Sequence, residues 1–133
     1  MPACQIALTA VLLLSLLHTS SSVASAHHSI SGVYAMDKRV HLEGVITAFS
    51  YRSPHSFIQL DVVDSATGSS VNWSVEWGSG EGLKRQGIER SNLSAGDRVI
   101  ILAQPGRDPP ENRAHLMGIL RPSDGWSWGR PVK

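Results

Sequence analysis

Apolar and polar side chains alternate along several short stretches of this chain. The clearest stretch is 71–77, Val-Asn-Trp-Ser-Val-Glu-Trp, in which valine and tryptophan take every second position. A second stretch, 40–49, reads Val-His-Leu-Glu-Gly-Val-Ile-Thr-Ala-Phe and alternates in the same way. Because successive side chains of a β-strand point to opposite faces of a sheet, this period of two predicts strands with one buried face. A chain built from such strands has to pack its sheet against another layer or close it into a barrel.

Five predicted strands and one helix define the expected domain. The strands are 40–49, 56–63, 71–77, 99–103 and 113–120, separated by stretches rich in Gly, Pro, Ser and Asp. Residues 81–86 predict a short helix between the third and fourth strands, with Ser79 as its N-cap and Gly87 at its end. This order predicts a mainly β, five-stranded barrel of the oligonucleotide/oligosaccharide-binding (OB) type over 40–121. An open β-sandwich is the alternative.

The two ends of the chain flank that barrel. Residues 27–39 show no clear period and are expected to form an extended N-terminal arm. Residues 122–133 are expected to form a loose C-terminal tail. Trp126 and Trp128 lie in this polar tail, and we expect them to cover an open barrel end rather than to bind a ligand.

Residues 1–26 have the pattern of a secretory signal peptide. The apolar run 6–17 has the length of an h-region, and Ala24 and Ala26 supply an A-x-A cleavage pattern. A membrane anchor is the alternative, but the run is short for a span and ends in small, Ser-rich sequence. Cleavage predicts a periplasmic or secreted protein with no stable membrane span. The only cysteine, Cys4, would be lost, which excludes disulfides and thiolate sites from the mature chain.

Charge and motif content exclude several classes of function. The 12 basic and 11 acidic residues give a formal net charge of +1, which argues against nucleic acid or an anionic membrane as a dedicated partner. The sequence has no nucleophile elbow, no phosphate-binding Gly-rich loop and no His-Glu-x-x-His motif. These features favour a binding protein over an enzyme.

The mature N-terminus is the strongest candidate for a chemical site. Cleavage after Ala26 would leave His27 with a free α-amine next to His28, and an amine and an imidazole on one residue chelate a metal. Cleavage after Ala24 would place His27 third, where the terminal amine, two backbone amides and the imidazole form a square-planar site. Both sets of nitrogen ligands suit Cu(II). His55, in the loop between the first two strands, is a candidate further ligand, and Glu76 offers a weaker carboxylate candidate.

Each of these features also has a simpler interpretation. Two histidines after a signal peptide are often a solvated end, and His55 can be a turn residue bonded to a neighbouring carbonyl. Trp73 and Trp77 share a face with valines, which favours a core position, although the same residues could form a stacking platform for sugar rings. A metal-independent module that binds a peptide or a glycan of the cell envelope is therefore the alternative function.

Several motifs in a fixed order give the mature chain a family resemblance. They are Ala-His-His-Ser (26–29), Leu-Glu-Gly-Val-Ile (42–46), Ser-Pro-His (53–55), Val-Asn-Trp-Ser-Val-Glu (71–76), Leu-Ser-Ala-Gly-Asp (93–97) and Asp-Gly (124–125). From about residue 26 to residue 125, the chain resembles DUF6152, a family of small exported bacterial proteins of unknown function. The resemblance implies an exported, cysteine-poor, β-rich domain and brings no established activity or catalytic residue. It also directs attention to His27, His28 and His55 as a set.

Overall fold

Six strands and two short helices make up the part of the chain that the structure describes. The structure is a computed structural model that describes residues 29–108 and 111–132. In chain order the elements are α1 (Ile30–Val33), β1 (Val40–Ser50), β2 (Ser56–Val63), β3 (Ser70–Trp77), α2 (Gly80–Arg85), a 3₁₀ turn (Arg90–Asn92), β4 (Arg98–Pro105), β5 (Arg113–Arg121) and β6 (Trp126–Gly129). The predicted signal peptide, His27 and His28 lie outside the described residues.

The first five strands close into a barrel. Antiparallel pairs connect the strands in the order β3-β2-β1-β4-β5, and β5 then pairs in parallel with β3. The closing contact joins Ser74, Val75 and Glu76 to Arg113, Ala114 and His115. This strand order, with a helix between β3 and β4, confirms the predicted five-stranded OB-type barrel.

The alternating stretches form the core as predicted, with one local change of phase. Ile58, Leu60, Val75, Val99 and Ile101 are fully buried inside the barrel. In β1 the register against β2 shifts between Ile46 and Ala48, which marks a β-bulge. After the bulge Ala48 is exposed and Phe49 packs against the core, so the simple alternation predicted for 40–49 is wrong beyond Ile46.

Helix α2 forms where Gly78 ends β3. The Ser79 hydroxyl accepts a hydrogen bond from the Gly82 amide at 3.0 Å, which confirms the predicted N-cap. Leu83 places its side chain in the core at 1% exposure. Gly87 follows with a φ of 78°, a left-handed conformation that suits glycine, so the chain turns away after less than two turns of helix.

The N-terminal arm is not simply extended, because Ile30–Val33 form one helical turn. The arm then lies against the hairpin of β4 and β5. The Ala35 amide donates to the Pro105 carbonyl at 2.8 Å, and the Arg107 amide donates to the Val33 carbonyl at 2.9 Å. These bonds hold the arm on the outer surface of the barrel, and Tyr34 is only 1% exposed as a result.

The predicted loose tail instead contains a sixth strand. Trp126–Gly129 pair with Gly118–Arg121 of β5, so β6 extends the sheet beyond the closed barrel. The ring of Trp128 lies edge-on to that of Trp77, with 4.9 Å between the centroids. The tail tryptophans therefore pack against the core, and the expected covering of an open barrel end stays a prediction. None of the described helices is long and apolar enough to cross a membrane.

Candidate functional site

A carboxylate on the outer surface of the barrel is the centre of a small polar cluster. Val75 and Trp77 face the core, so Glu76 between them faces outward. Its Oε1 lies 2.8 Å from Nδ1 of His55, and its Oε2 accepts a hydrogen bond of 2.5 Å from the Tyr34 hydroxyl. We call Tyr34, His55, Glu76, Gln104 and His115 the Glu76 cluster.

His55 reaches Glu76 because the loop before β2 is held in place. Ser56 is fully buried, and its hydroxyl bonds both the amide and the carbonyl of Arg52, which closes the loop. Ser56 pairs with Trp77 and its amide donates to the Gly78 carbonyl, so His55 lies at the end of the ladder between β2 and β3, and from there its side chain reaches back to Glu76. The His55 side chain is 52% exposed, compared with 14% for Glu76. With Nδ1 beside the carboxylate, Nε2 is the ring nitrogen left for another partner.

His115 joins the cluster through the parallel contact that closes the barrel. It lies directly opposite Glu76 in the register of β3 and β5, and side chains paired in this way leave the same face of a sheet. The Tyr34 ring covers it, with 5.6 Å between the ring centroids. Its Nδ1 lies 3.3 Å from Oε1 of Gln104, the residue that faces it from β4. Glu76 thus has an imidazole on each side.

Burial sets the protonation of the two covered rings. Burial raises the pKa of the Tyr34 hydroxyl above its ordinary value, and the hydrogen bond to Glu76 raises it further, so the hydroxyl stays protonated and donates a hydrogen bond to the carboxylate. Burial lowers the pKa of His115, the carboxylate of Glu76 opposes this shift, and the charge of His55 reinforces it. His115 is therefore held toward its neutral form, the form of imidazole that binds metals.

The predicted site residues stand as follows. His55 and Glu76, both selected from the sequence, are in contact. His27 and His28 lie outside the described residues, so their meeting with His55 stays a prediction. Within 29–108 and 111–132, no group of three or more His, Cys, Asp or Glu side chains is arranged to hold a metal ion.

Sequence reasoning missed three members of the cluster. Tyr34 lies in an arm without periodicity, His115 has the pattern of an ordinary strand-surface position, and Gln104 falls just beyond the predicted strand 99–103. Residues 76 and 115 meet only through the parallel pairing of β3 with β5, a register that the pattern of either strand does not encode. Only the prediction of a closed OB barrel, in which these two strands become neighbours, pointed toward this contact.

The tryptophan positions bear on the alternative stacking platform. Trp77 is 3% exposed and Trp73 is half-buried against the core. The indole N–H of Trp77 has no hydrogen-bond partner among the described residues, and its ring contacts those of Phe49 and Trp128. Trp77 is therefore a core residue, as the alternation predicted.

Comparison with known proteins places the chain in a family. A family profile described as "Family of unknown function (DUF6152)" matches residues 14–114. Neither the curated proteins nor the solved structures gave a match to this chain. The family match covers most of the sequence, including every strand from β1 to β4 and the first residues of β5. The chain is a member of the DUF6152 family of unknown function.

Proposed function

We propose that this chain is an exported, non-enzymatic β-barrel protein that binds copper(II) through its mature N-terminus and His55. The observation that carries the proposal is the 2.8 Å contact between Nδ1 of His55 and the Glu76 carboxylate. The predicted ligands are the amine and imidazole of His27, the imidazole of His28 and Nε2 of His55. The predicted location is the periplasm or the extracellular space.

The contact between His55 and Glu76 has the form of a metal ligand with its supporting carboxylate. Histidine ligands commonly donate the second ring N–H to a carboxylate, which fixes the tautomer and raises the basicity of the other nitrogen. Here Nδ1 faces the carboxylate of a half-exposed side chain, and Nε2 is the nitrogen proposed to bind the metal. Both Glu76 oxygens already have a partner, Oε1 the His55 Nδ1 at 2.8 Å and Oε2 the Tyr34 hydroxyl, which favours a supporting role for Glu76 over direct ligation.

The length of the arm allows the N-terminal histidines to reach His55. His28 precedes Tyr34 by six residues, and because four of them form the helical turn α1, this backbone spans at most about 13 Å. Tyr34 is itself bonded to the carboxylate that holds His55. The chain that leads from Tyr34 back to His28 therefore begins within the Glu76 cluster. Its length permits the N-terminal histidines to share an ion with His55.

Nitrogen ligands favour copper among the divalent ions. The affinity of imidazole and amine ligands for divalent ions is highest for Cu(II). The mature chain would have no cysteine, so it would offer no thiolate ligand of the kind that soft metal ions prefer. A terminal histidine supplies two of these nitrogens from one residue. Imidazole and amine must both lose their protons to bind, so metal uptake is expected to release protons.

The test is a Cu(II) titration of protein that begins at His27. We expect binding that is weakened at least tenfold in two variants, one with a glycine added before His27 and one carrying H55A. We expect E76Q to weaken binding by about 10- to 100-fold through the loss of the supporting carboxylate. H41A is the matched control, because His41 is an exposed histidine of β1 outside the Glu76 cluster.

Two results would overturn the proposal. One is copper affinity no greater than that of an unrelated histidine-containing protein. The other is equal affinity in the native protein, the glycine-extended protein and H55A. A change of tryptophan fluorescence with a glycan or an envelope peptide, together with indifference to copper, would support the metal-independent binding module instead.

A further inference from the structure

Trp73 lines a cavity at one end of the barrel. Burial along the inward positions of β3 decreases from Val75, which is fully buried, to Trp73 and Val71, which are half-buried. The same decrease occurs in β2 from Leu60 to Val62, the residues that pair with Trp73 and Val71. The barrel therefore opens toward the hairpin that connects these two strands. The cavity at this end has a volume of about 230 Å³ and is lined by Leu42, Val62, Asp64, Val71, Trp73 and Asn112.

Helix α2 covers the opposite end of the barrel. Leu83 of this helix is buried in the core, and the Tyr51 hydroxyl lies 2.8 Å from the Gly80 carbonyl at the start of the helix. Trp77 lies at that end of β3 and is 3% exposed. The two tryptophans of β3 thus differ, because Trp77 is enclosed and Trp73 borders a cavity. The stacking platform considered from the sequence is therefore available at Trp73 and not at Trp77.

Polar side chains at the mouth of this cavity have hydrogen-bonding atoms available for a ligand. Oδ1 of Asp64 accepts two backbone amides of the hairpin turn, at 2.7 and 3.1 Å, which holds the carboxylate in place. The backbone carbonyl of Asn112 accepts the Ser74 amide at 2.9 Å, which fixes this residue beside β3. Within 29–108 and 111–132, Oδ2 of Asp64, the side-chain amide of Asn112 and the indole N–H of Trp73 have no hydrogen-bond partner.

This combination of groups suits an uncharged sugar ring. An indole packs its flat apolar face against the C–H face of a pyranose, and the valine and leucine side chains of the cavity extend that apolar surface. Sugar hydroxyls both donate and accept hydrogen bonds, so they can satisfy a carboxylate, which only accepts, and an amide, which does both. The carboxylate of Asp64 disfavours an anionic sugar, because like charges repel. The volume is below the roughly 300–1,000 Å³ of pockets for drug-sized ligands, which limits the ligand to about one ring.

We propose that this cavity binds one uncharged pyranose ring, which stacks on Trp73 and is hydrogen-bonded by Asp64 and Asn112. Trp73 supplies the apolar surface, Asp64 accepts from sugar hydroxyls, and Asn112 donates to a sugar oxygen. The cavity lies on the inner side of β3, whereas Glu76 faces outward from the same strand. The sugar site is therefore separate from the proposed copper site, and either proposal can fail alone.

The first experiment follows the indole N–H resonances of the native protein by proton–nitrogen NMR. The probes are methyl β-D-glucopyranoside, methyl β-D-galactopyranoside and N-acetyl-D-glucosamine. We expect at least one of them to shift the Trp73 resonance in a saturable way, with a millimolar dissociation constant because one sugar ring has few heavy atoms. Trp126 packs under Arg121 and does not line the cavity, so its resonance is the internal control and is expected to stay in place. A Trp73 resonance that none of the three sugars shifts would overturn the proposal.

Substitutions test the role given to each side chain. W73L removes the stacking surface, D64N keeps the oxygen that accepts the turn amides but removes the charge, and N112A removes an exposed amide. Each is expected to weaken sugar binding at least about fivefold. D61N is the matched control for D64N, because Asp61 bonds Asn72 outside the cavity, and its affinity is expected to be unchanged. D64N and N112A alter exposed residues, so they test the site even if W73L does not fold, and native affinity in both would overturn it.

Tetramethylammonium distinguishes a sugar from a cationic ligand, which an indole and a carboxylate could also attract. We expect no saturable shift of the Trp73 resonance with this cation. A shift with tetramethylammonium and none with the sugars would overturn the assignment of the ligand class. Copper affinity is expected to be equal in D64N and in the native protein, so a failure of copper binding does not decide the sugar site.

Discussion

Replacing Tyr34 by phenylalanine removes one hydroxyl from the Glu76 cluster and leaves the ring in place. That hydroxyl donates to Oε2 of Glu76, and the Tyr34 ring is 1% exposed. Hydrogen bonds to charged groups contribute about 1.5–3 kcal/mol, and the loss leaves a carboxylate oxygen of a largely buried side chain without its partner. We expect Y34F to lower the free energy of unfolding by about 2 kcal/mol, or the melting temperature by on the order of 10 °C.

Tyr51 provides a matched control for this substitution. Its hydroxyl lies 2.8 Å from the Gly80 carbonyl and 2.9 Å from the Ile88 carbonyl, and its single proton serves neutral acceptors. Loss of that hydroxyl is expected to lower the free energy of unfolding by only about 0.5–1.5 kcal/mol. Urea unfolding of both variants at pH 7.5 measures the difference, and the m-value is expected to stay unchanged.

Hydrogen exchange adds a local readout to the Tyr34 prediction. The Ala35 and Arg107 amides hold the arm on the barrel, and their exchange is expected to accelerate in Y34F more than exchange in the barrel strands. The reasoning is refuted if Y34F unfolds within 0.5 kcal/mol of the native protein, a margin set by the usual effect of neutral surface changes. The same reasoning is refuted if Y34F loses less unfolding free energy than Y51F.

Two further predictions concern regions away from the cluster. In G118A the new Cβ would overlap the backbone carbonyl of the residue after β6, so we expect β6 to detach and stability to fall by about 1–3 kcal/mol, measured by thermal unfolding with tryptophan fluorescence. In R121Q a side chain that is 17% exposed loses hydrogen bonds to a backbone carbonyl and two carboxylates, and we expect urea unfolding to show a loss of about 1–3 kcal/mol. R98Q, which breaks an exposed pair with Glu43, is the control and is expected to lose less than about 1 kcal/mol. Hydrogen bonds from Arg121 lower the pKa of Asp124 in the folded protein below its ordinary value of 3.8. This pair therefore contributes its full stabilisation of the fold above pH 3.8, and the contribution is lost as the pH falls through the lower pKa of the folded state. Acid unfolding of R121Q should accordingly depend less on pH in that range, and an unchanged acid profile would contradict the assignment.

The barrel could be predicted from the sequence because the local pattern of each strand agrees with its position in the fold. The alternation at 71–77 and the turn residues between strands agree with the observed β3 and its neighbours, and Ser79 and Gly87 bound the helix as expected. The prediction failed where distant contacts decide the structure. β6 is four residues long and is held by pairing with β5 and by the packing of Trp128 on Trp77. The helical turn of the arm is too short to leave a periodic signal.

The site was predictable in part for the same reason. His55 stood out as a loop histidine after proline, and Glu76 stood out as a carboxylate on the outward face of its strand. Their contact depends on how the loop closes through the buried Ser56. Tyr34 and His115 carry no local signal, because one reaches the cluster by the docking of the arm and the other by the closing register.

The parallel contact between β3 and β5 also determines when the Glu76 cluster exists. Until β5 pairs with β3 and closes the barrel, His115 does not lie opposite Glu76. A protein threaded through a membrane as an unfolded chain would thus carry no assembled site during its passage. An ion that binds only the closed barrel would stabilise the contact between β3 and β5. The gain in stability would increase with the logarithm of the free ion concentration once this concentration exceeds the dissociation constant.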